Sequence, residues 1–436
     1  MKSSSRYRWF VVGTFFAFML LHQSDKMLIG PLNSQIMETF SIDEAQMGAV
    51  GTGALLVAAV FYPLWGYLYD RYARAKLLAL ASAIWGSTTW LSALAPTFPT
   101  FIVTRASTGI DDSSYPGLYS LIADYFGPRV RGKIYGFLQL TQPLGYLMGM
   151  ALALVLGGMI GWRGVFYLTG ALGLVLAAVI FFGVREVPRG RGEPELADLA
   201  EIGVYRFNWK IALGLFRKRT LIPLFIQGFF GVFPWNVIAF WFFRYLQVDR
   251  GYTDDAILPT MAVAVLVLAA GYFIGGALGD RLFRRTPRGR LIVATVGAAL
   301  GMIFLVLTLG VPLENTGLFL LLLCLTAIFI PFPSPNVIST VYDVTVPEVR
   351  STALAIQYFI ENAGAALAPL LAGAVAVQSS LGNAILIICT STWAVCSVFL
   401  AAAAYLAPRD ILALRQQMRE RAAAAQAGQQ PGAATG

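Results

Sequence analysis

Residues 104–133 read TRASTGIDDSSYPGLYSLIADYFGPRVRGK. The stretch continues an apolar run that begins near Phe98, yet it carries Arg105, Asp111 and Asp112 and ends in a basic turn with Arg129, Arg131 and Lys133. If the run crosses a bilayer, each mid-membrane charge costs roughly 2.5–3.5 kcal/mol, so such charges persist only beside partners or a water-filled cavity. The helix is therefore expected to line a polar path through an apolar protein.

Composition supplies the apolar protein. Of 436 residues, 57% are hydrophobic and 13% charged, with a mean hydropathy of +0.68; a soluble domain carries about 25% charged residues. The net charge of +9 is spread over short loops rather than gathered on one face or arm, which argues against nucleic acid. No short apolar stretch with a small-residue cleavage site opens the chain, so the run from Trp9 is read as a retained span. Cys324, Cys389 and Cys396 all sit in apolar segments, as neither a disulfide framework nor a metal site would place them.

With about 20 apolar residues needed per span, about twelve spans are expected. Their limits are 9–36, 46–69, 77–95, 98–126, 132–159 and 163–184, then 220–247, 256–282, 290–312, 316–346, 351–377 and 382–407. The fold class is all-α integral membrane: an N-terminal six-helix bundle over 1–184, a linker over 185–219 and a second bundle over 220–407. The tail, 408–436, ends in low-complexity sequence and is expected to be disordered. Nearly all of the 32 lysines and arginines fall in alternate loops on the side of the N-terminus, with Arg163 and Arg250 opposite. Both termini and the linker are thus expected to be cytoplasmic, in a plasma membrane that would be the bacterial inner membrane. The linker, with Arg185, Arg189, Glu193 and Glu195, is too charged to span; residues 202–216 suit an amphipathic helix at the membrane surface equally well as a solvated connector.

The halves repeat one another. Gly66-Tyr67-Leu68-Tyr69-Asp70-Arg71 recurs as Gly276-Ala277-Leu278-Gly279-Asp280-Arg281, and the pair Asp124 and Arg131 recurs at the same mutual spacing as Asp343 and Arg350. Repeats that keep their direction through the membrane imply two halves related by an axis along the membrane normal. An acid at a helix end gains charge–dipole stabilisation from the N-terminus of a neighbouring helix, about 0.3–1 kcal/mol. Gly66, Asp70, Arg71, Arg74, Asp124, Arg131, Asp280, Arg281 and Arg350 are accordingly expected to form a latch made in only one packing of the halves.

The Gly66–Arg74 pattern, G-x-x-x-D-R-x-x-R, resembles the signature of the major facilitator superfamily. Within it the first half is most similar to the spinster family of lipid and sphingolipid carriers, through Ser24-Asp25-Lys26, Phe61-Tyr62-Pro63, Arg105-Ala106 and Gly109-Ile110-Asp111-Asp112-Ser113-Ser114-Tyr115. Asp25 and Asp112 fall on the acids of that pattern. Lys26 replaces an arginine, Asp112 is one methylene shorter than a glutamate and Asp111 replaces a glycine. The second half matches at Val346-Pro347 and Arg350-Ser351-Thr352-Ala353. The resemblance implies a lysophospholipid or sphingoid lipid as substrate.

Helix geometry gathers the polar residues independently of that resemblance. Asp25 lies about 24 Å above the cytoplasmic end of the first span and Arg105 about 10 Å below the outer end of the fourth, so the two are expected to meet. Asp112 shares a face with Arg105, whereas Asp111 is rotated by about 100° from Asp112 and is not expected to face the same cavity. The expected proton-coupling residues are Asp25, Asp112, Arg105, Asp111 and Glu361; intramembrane acids are functional by default, and a static ion network is the alternative. Substrate contacts are expected from Arg105, Lys26, Tyr115, Tyr119, Trp235, Tyr358 and Glu361. His22, the single histidine, lies near Asp25 as a pH sensor or a packing residue.

No Walker A loop, metal-ligand cluster or activated serine appears, so no enzyme, cofactor or metal is expected. The reading is a proton-coupled carrier, monomeric and surrounded by membrane lipid, that moves an amphipathic molecule by alternating access. A carrier of organic anions or drugs is the alternative within the same fold, and a membrane receptor that transports nothing is the alternative from another class.

Overall fold

The structure, a computed structural model, describes residues 5–42, 44–112, 114–196 and 213–429. The surface segment expected over 202–216 lies mostly outside the described residues. All regular structure among those residues is helical: α1 (Ser5–Met27), α2 (Ile29–Phe40), α3 (Glu44–Arg71), α4 (Arg74–Leu94), α5 (Phe98–Ser107), α6 (Gly109–Asp112), α7 (Tyr115–Tyr125), α8 (Pro128–Gln139) and α9 (Thr141–Gly183). After short 3₁₀ turns follow α10 (Leu221–Val248), α11 (Asp254–Phe283), α12 (Gly289–Leu309), α13 (Thr316–Phe329), α14 (Pro333–Val344), α15 (Arg350–Gln378) and α16 (Leu381–Gln429).

The interruptions follow from the residues at them. The run 98–126 divides into α5, α6 and α7, with Pro116 at the start of α7; a proline donates no backbone hydrogen bond, so it sits at the head of a helix rather than inside one. Pro331 and Pro333 likewise separate α13 from α14. Inside α9, Gly161 takes φ 68°, a left-handed conformation open to glycine at little cost, and the helix turns there, between the spans expected at 132–159 and 163–184.

Seven helical segments among the described residues are long and apolar enough to cross a membrane, from Arg74–Leu94 to Leu381–Ala424. The charged stretch is not among them: α5 and α6, which carry Arg105, Asp111 and Asp112, are ten and four residues long and too short to span by themselves. Large apolar side chains such as Val60, Met159, Phe182 and Val398 are more than two-thirds exposed or nearly so, an outer surface that suits hydrocarbon and would be costly in water.

Packing is dense among α1, α4 and α9, and among α10, α12, α15 and α16. The two sets of helices meet mainly at α3 against α15 and at α8 against α11. Glycines allow those crossings: a Cβ at Gly66 would lie 2.6 Å from the Ala355 Cβ, and one at Gly276 would strike the Gly132 carbonyl. These are the glycines that head the repeated motif.

The expected disorder of the tail is corrected as far as Gln429. Residues 408–429 continue α16, burying Ile411, Leu414, Met418 and Ala422 at helical spacing. Alanine, arginine, glutamine and glutamate are strong helix formers, and this apolar stripe gives the helix a surface to dock on.

Candidate functional site

A cavity of about 230 Å³ lies beside α1, α3, α5 and α6, lined by His22, Asp25, Lys26, Trp85, Arg105 and Asp112 together with apolar Met27, Ile29 and Val50. Asp25 is held firmly: Thr169 donates to its Oδ1 at 2.6 Å, Thr89 to its Oδ2 at 3.2 Å, and Arg105 Nη1 stands 3.5 Å from Oδ2. Arg105 also lies over the Phe166 ring at 5.1 Å. Its buried Nε and Nη1 donate no hydrogen bond among the described residues, which leaves donor capacity for a ligand.

Lys26 Nζ donates to Asp112 Oδ2 at 2.7 Å. His22 Nε2 stands 2.6 Å from Asp111 Oδ2 and 3.5 Å from Asp112 Oδ1, while His22 Nδ1 stands 2.6 Å from the Tyr115 hydroxyl. Asp111 and Asp112 therefore both approach one imidazole, yet only Asp112 lines the cavity, as the 100° step between neighbours on a helix led one to expect. The ring of His22 lies between their two directions, close to Asp111 and farther from Asp112.

Thus Asp25, Lys26, Arg105, Asp111, Asp112 and Tyr115 come together as one site. Glu361 stands apart on α15, accepting from Gln357 Nε2 at 2.8 Å. Tyr358 meets Tyr62 edge to face at 5.9 Å, and the Tyr62 hydroxyl reaches the Asp112 carbonyl at 3.5 Å, a chain of contacts from α6 to α15. Tyr119 is buried and its carbonyl accepts from the Tyr135 hydroxyl at 2.8 Å, which is a packing role. Trp235, 39% exposed, lines neither this cavity nor the neighbouring one at Lys26 and Tyr146. Sequence reading missed Thr89, Thr169 and Trp85, since a threonine on an apolar helix is as often bonded to its own backbone.

At the other end of α3 the repeated acids join helices of the two sets. Asp70 accepts from the backbone N–H groups of Ser351 (3.0 Å) and Thr352 (2.6 Å) in the first turn of α15. Asp280 accepts from Gly132 (3.1 Å) and Lys133 (2.7 Å) near the N-terminal end of α8. Each acid thus lies at a helix N-terminus across the crossing, as charge–dipole attraction favours. Behind them Arg74 pairs with Asp124 and with Glu186 at 2.8 Å, and Arg290, which the sequence reading did not single out, pairs with Asp280 at 2.6 Å and with Asp343.

Arg131 and Arg350 meet on Glu193 of the linker, Arg131 at 3.1 Å, and Arg415 of the tail joins them. Glu193 is fully buried. Burial pushes its pKa upward, but Arg350, Arg131 and Arg415 outweigh that and hold it well below the usual carboxylate range. Arg71 and Arg281 are outside this network: both are exposed, and Arg71 turns back to the Tyr67 hydroxyl.

Buried, paired charges thus wall a cavity inside an all-helical protein with an apolar outer surface. Residues 14–369 match the Major Facilitator Superfamily, and the chain belongs to that family of transporters. It is 26% identical over 407 residues to protein spinster homolog 1 of Xenopus tropicalis, covering 87% of this chain and 75% of that protein. It is 25% identical over 323 residues to the 3-(3-hydroxy-phenyl)propionate transporter of Escherichia coli strain K12, covering 73% and 75%. Its fold is similar to the crystal structure of a bacterial homolog of the human lysosomal transporter Spinster in an inward-facing, unoccupied conformation, with a TM-score of 0.60, 20% identity and coverage of 94% and 98%.

Proposed function

We propose that the chain is a proton-coupled secondary active transporter of an amphipathic organic molecule, a lysophospholipid or sphingoid lipid, working by alternating access. The cavity carries the reading: Arg105 and Lys26, beside Asp25 and Asp112 and with His22 and Thr108, form its polar side, and Met27, Ile29, Val50, Ala54 and Trp85 its apolar side. An anionic headgroup gains from the cations while an acyl chain gains about 0.8 kcal/mol per methylene buried. The similarity to a spinster protein favours the same substrate class.

In this reading the helices make twelve spans in two six-helix halves, 1–184 and 220–407, and a monomer sits in the plasma membrane with both termini cytoplasmic. The Asp70 and Asp280 clamps then close the cytoplasmic face, and the cavity near Val50, some 30 Å away along α3, belongs to the outer half. Inward opening breaks both clamps. Asp112 takes up and releases the coupled proton, Asp25 with Arg105 keeps the cavity wall charged, and Glu361 is a second acid on the opposite half. Such coupling needs only a differential affinity of the two states for the proton.

A second reading, a carrier of small organic anions, draws on the same two cations and on the similarity to a hydroxyphenylpropionate transporter. Proteoliposomes holding the purified protein decide between them. Affinity that rises with acyl-chain length across a lysolipid series supports the lipid; tight binding of a short aromatic acid with no response to lysolipid removes it.

A further inference from the structure

His22 and Asp111 are not required by the single-carboxylate coupling above. Asp111 is fully buried and does not line the cavity; His22 does line it. The ring is boxed edge-on by Trp85 at 5.4 Å and Tyr115 at 5.5 Å and stacked by Phe18 at 5.8 Å, so it cannot swing away from Asp111. The titratable and charged groups around it are Lys26 on its own helix, Asp111, Asp112 and Tyr115 from α6 and α7, Tyr62 and Tyr69 of α3 one shell further, and Arg105 with Asp25 beyond Asp112. From α4 comes Trp85, which does not titrate.

The permanent cations are already matched. Lys26 offsets Asp112 and Arg105 offsets Asp25, so among the described residues Asp111 has the imidazole as its ion-pair partner, and its Oδ1 accepts no hydrogen bond among them. An isolated buried carboxylate is strongly disfavoured. The low-energy form of the pair holds one proton beyond a neutral ring and a carboxylate, whether as imidazolium with Asp111 ionised or as neutral ring with Asp111 protonated.

We propose that His22 and Asp111 form a second proton-binding site, behind the cavity wall and distinct from Asp112, that loads and unloads through the cavity His22 lines. It rests on the proton-coupled reading above and raises the number of protons moved per substrate by one. In the unloaded pair the ring carries its hydrogen on Nε2, donating to Asp111, and accepts the Tyr115 O–H at Nδ1. Loading takes one proton from cavity water: Nδ1 becomes a donor, Tyr115 rotates its hydroxyl to accept, and no other bond changes. Unloading reverses both. The cavity that His22 lines is the route by which the proton enters and leaves.

Because the chain contains a single histidine, ¹⁵N-histidine labelling of the full-length wild-type protein in lipid nanodiscs reads this ring alone. The expected result is a change between the two-hydrogen and one-hydrogen forms within about pH 5 to 8, retained in Asp112→Asn. In proteoliposomes, His22→Gln and Asp111→Asn should each lower the proton-to-substrate ratio by one, a ratio of fluxes that a change in transport rate does not alter. A wild-type ring fixed in its one-hydrogen form across that range overturns the proposal, as does a wild-type ratio in His22→Gln. If no proton accompanies substrate in the wild type but the labelled ring titrates and Asp111→Asn abolishes its titration, the coupled-transport reading falls and the proton site stands.

Discussion

Asp112 and Arg105 sit on adjacent short helices, yet they are held by different means, and their substitutions separate. Asp112 is tied to Lys26 and faces the cavity, so Asp112→Asn keeps the shape and removes a titrating group. Substrate binding should persist within a few-fold, while the number of protons moved per substrate falls by one; proton and substrate fluxes measured together in proteoliposomes check this, and a wild-type ratio rules out Asp112 as a proton carrier. Arg105→Ala removes a cavity cation and strands Asp25, to which Thr89 and Thr169 still donate. Loss of a charged hydrogen bond is worth about 1.5–3 kcal/mol, so affinity should fall by roughly ten- to a hundredfold. Direct binding of labelled substrate reports it, and an unchanged affinity would show that Arg105 serves only the helix packing.

Between helices, the decisive contacts are the two acids placed on helix ends across the α3–α15 and α8–α11 crossings. Asp70→Asn and Asp280→Asn each turn a charge–dipole contact worth about 0.3–1 kcal/mol, more when buried, into a neutral one. Both should shift the population toward the state open on that face and slow net transport without impairing insertion. Raised alkylation of a cysteine introduced on that face checks the shift, and wild-type rates in both would reduce the motif to packing. Glu193→Gln should act more strongly, because it leaves Arg131, Arg350 and Arg415 crowded around a neutral amide. The sign of the pH effect follows from the depressed pKa: the contribution of Glu193 is complete above the ordinary carboxylate range and is lost only as pH falls through its lower folded-state value. The difference in closure between wild type and Glu193→Gln, read by the same alkylation assay, should therefore be unchanged between about pH 7 and 5.

Over the whole molecule, alternating spans fix which residues share a side. Arg419, on the tail helix, and Glu314, between α12 and α13, are both exposed. A cysteine at Arg419 should label only from the cytoplasm and one at Glu314 only from outside, in a background where Cys324, Cys389 and Cys396 are replaced. Labelling of both from one side would break the twelve-span arrangement. The two cations expected outside, Arg163 and Arg250, cap carbonyls there: Arg163 those of Ala93 and Ala95 at 3.0 Å, Arg250 that of Val311 at 3.1 Å. Both satisfy carbonyls at helix ends, a use that accounts for two cations on the side expected to carry few.

The sequence by itself determined the helical class, the repeated glycine and acid of the motif and the pairing of Asp25 with Arg105, because each follows from local periodicity, from a repeat or from depth along a straight helix. It also singled out Asp124, Arg131 and Arg350 as partners without saying whom they would meet. Only the tertiary structure decided that Glu193 of a polar linker is the residue they share, that the tail continues as a docked helix to Gln429, and that Arg71 and Arg281 stand outside. Those outcomes depend on which surfaces meet across hundreds of residues of chain, and no local rule carries that information. The approach of Asp111 and Asp112 to His22 has the same cause: the ring comes from α1, 89 residues from Asp111 in the chain, and only the packing of α1 against α6 places it between the two carboxylates.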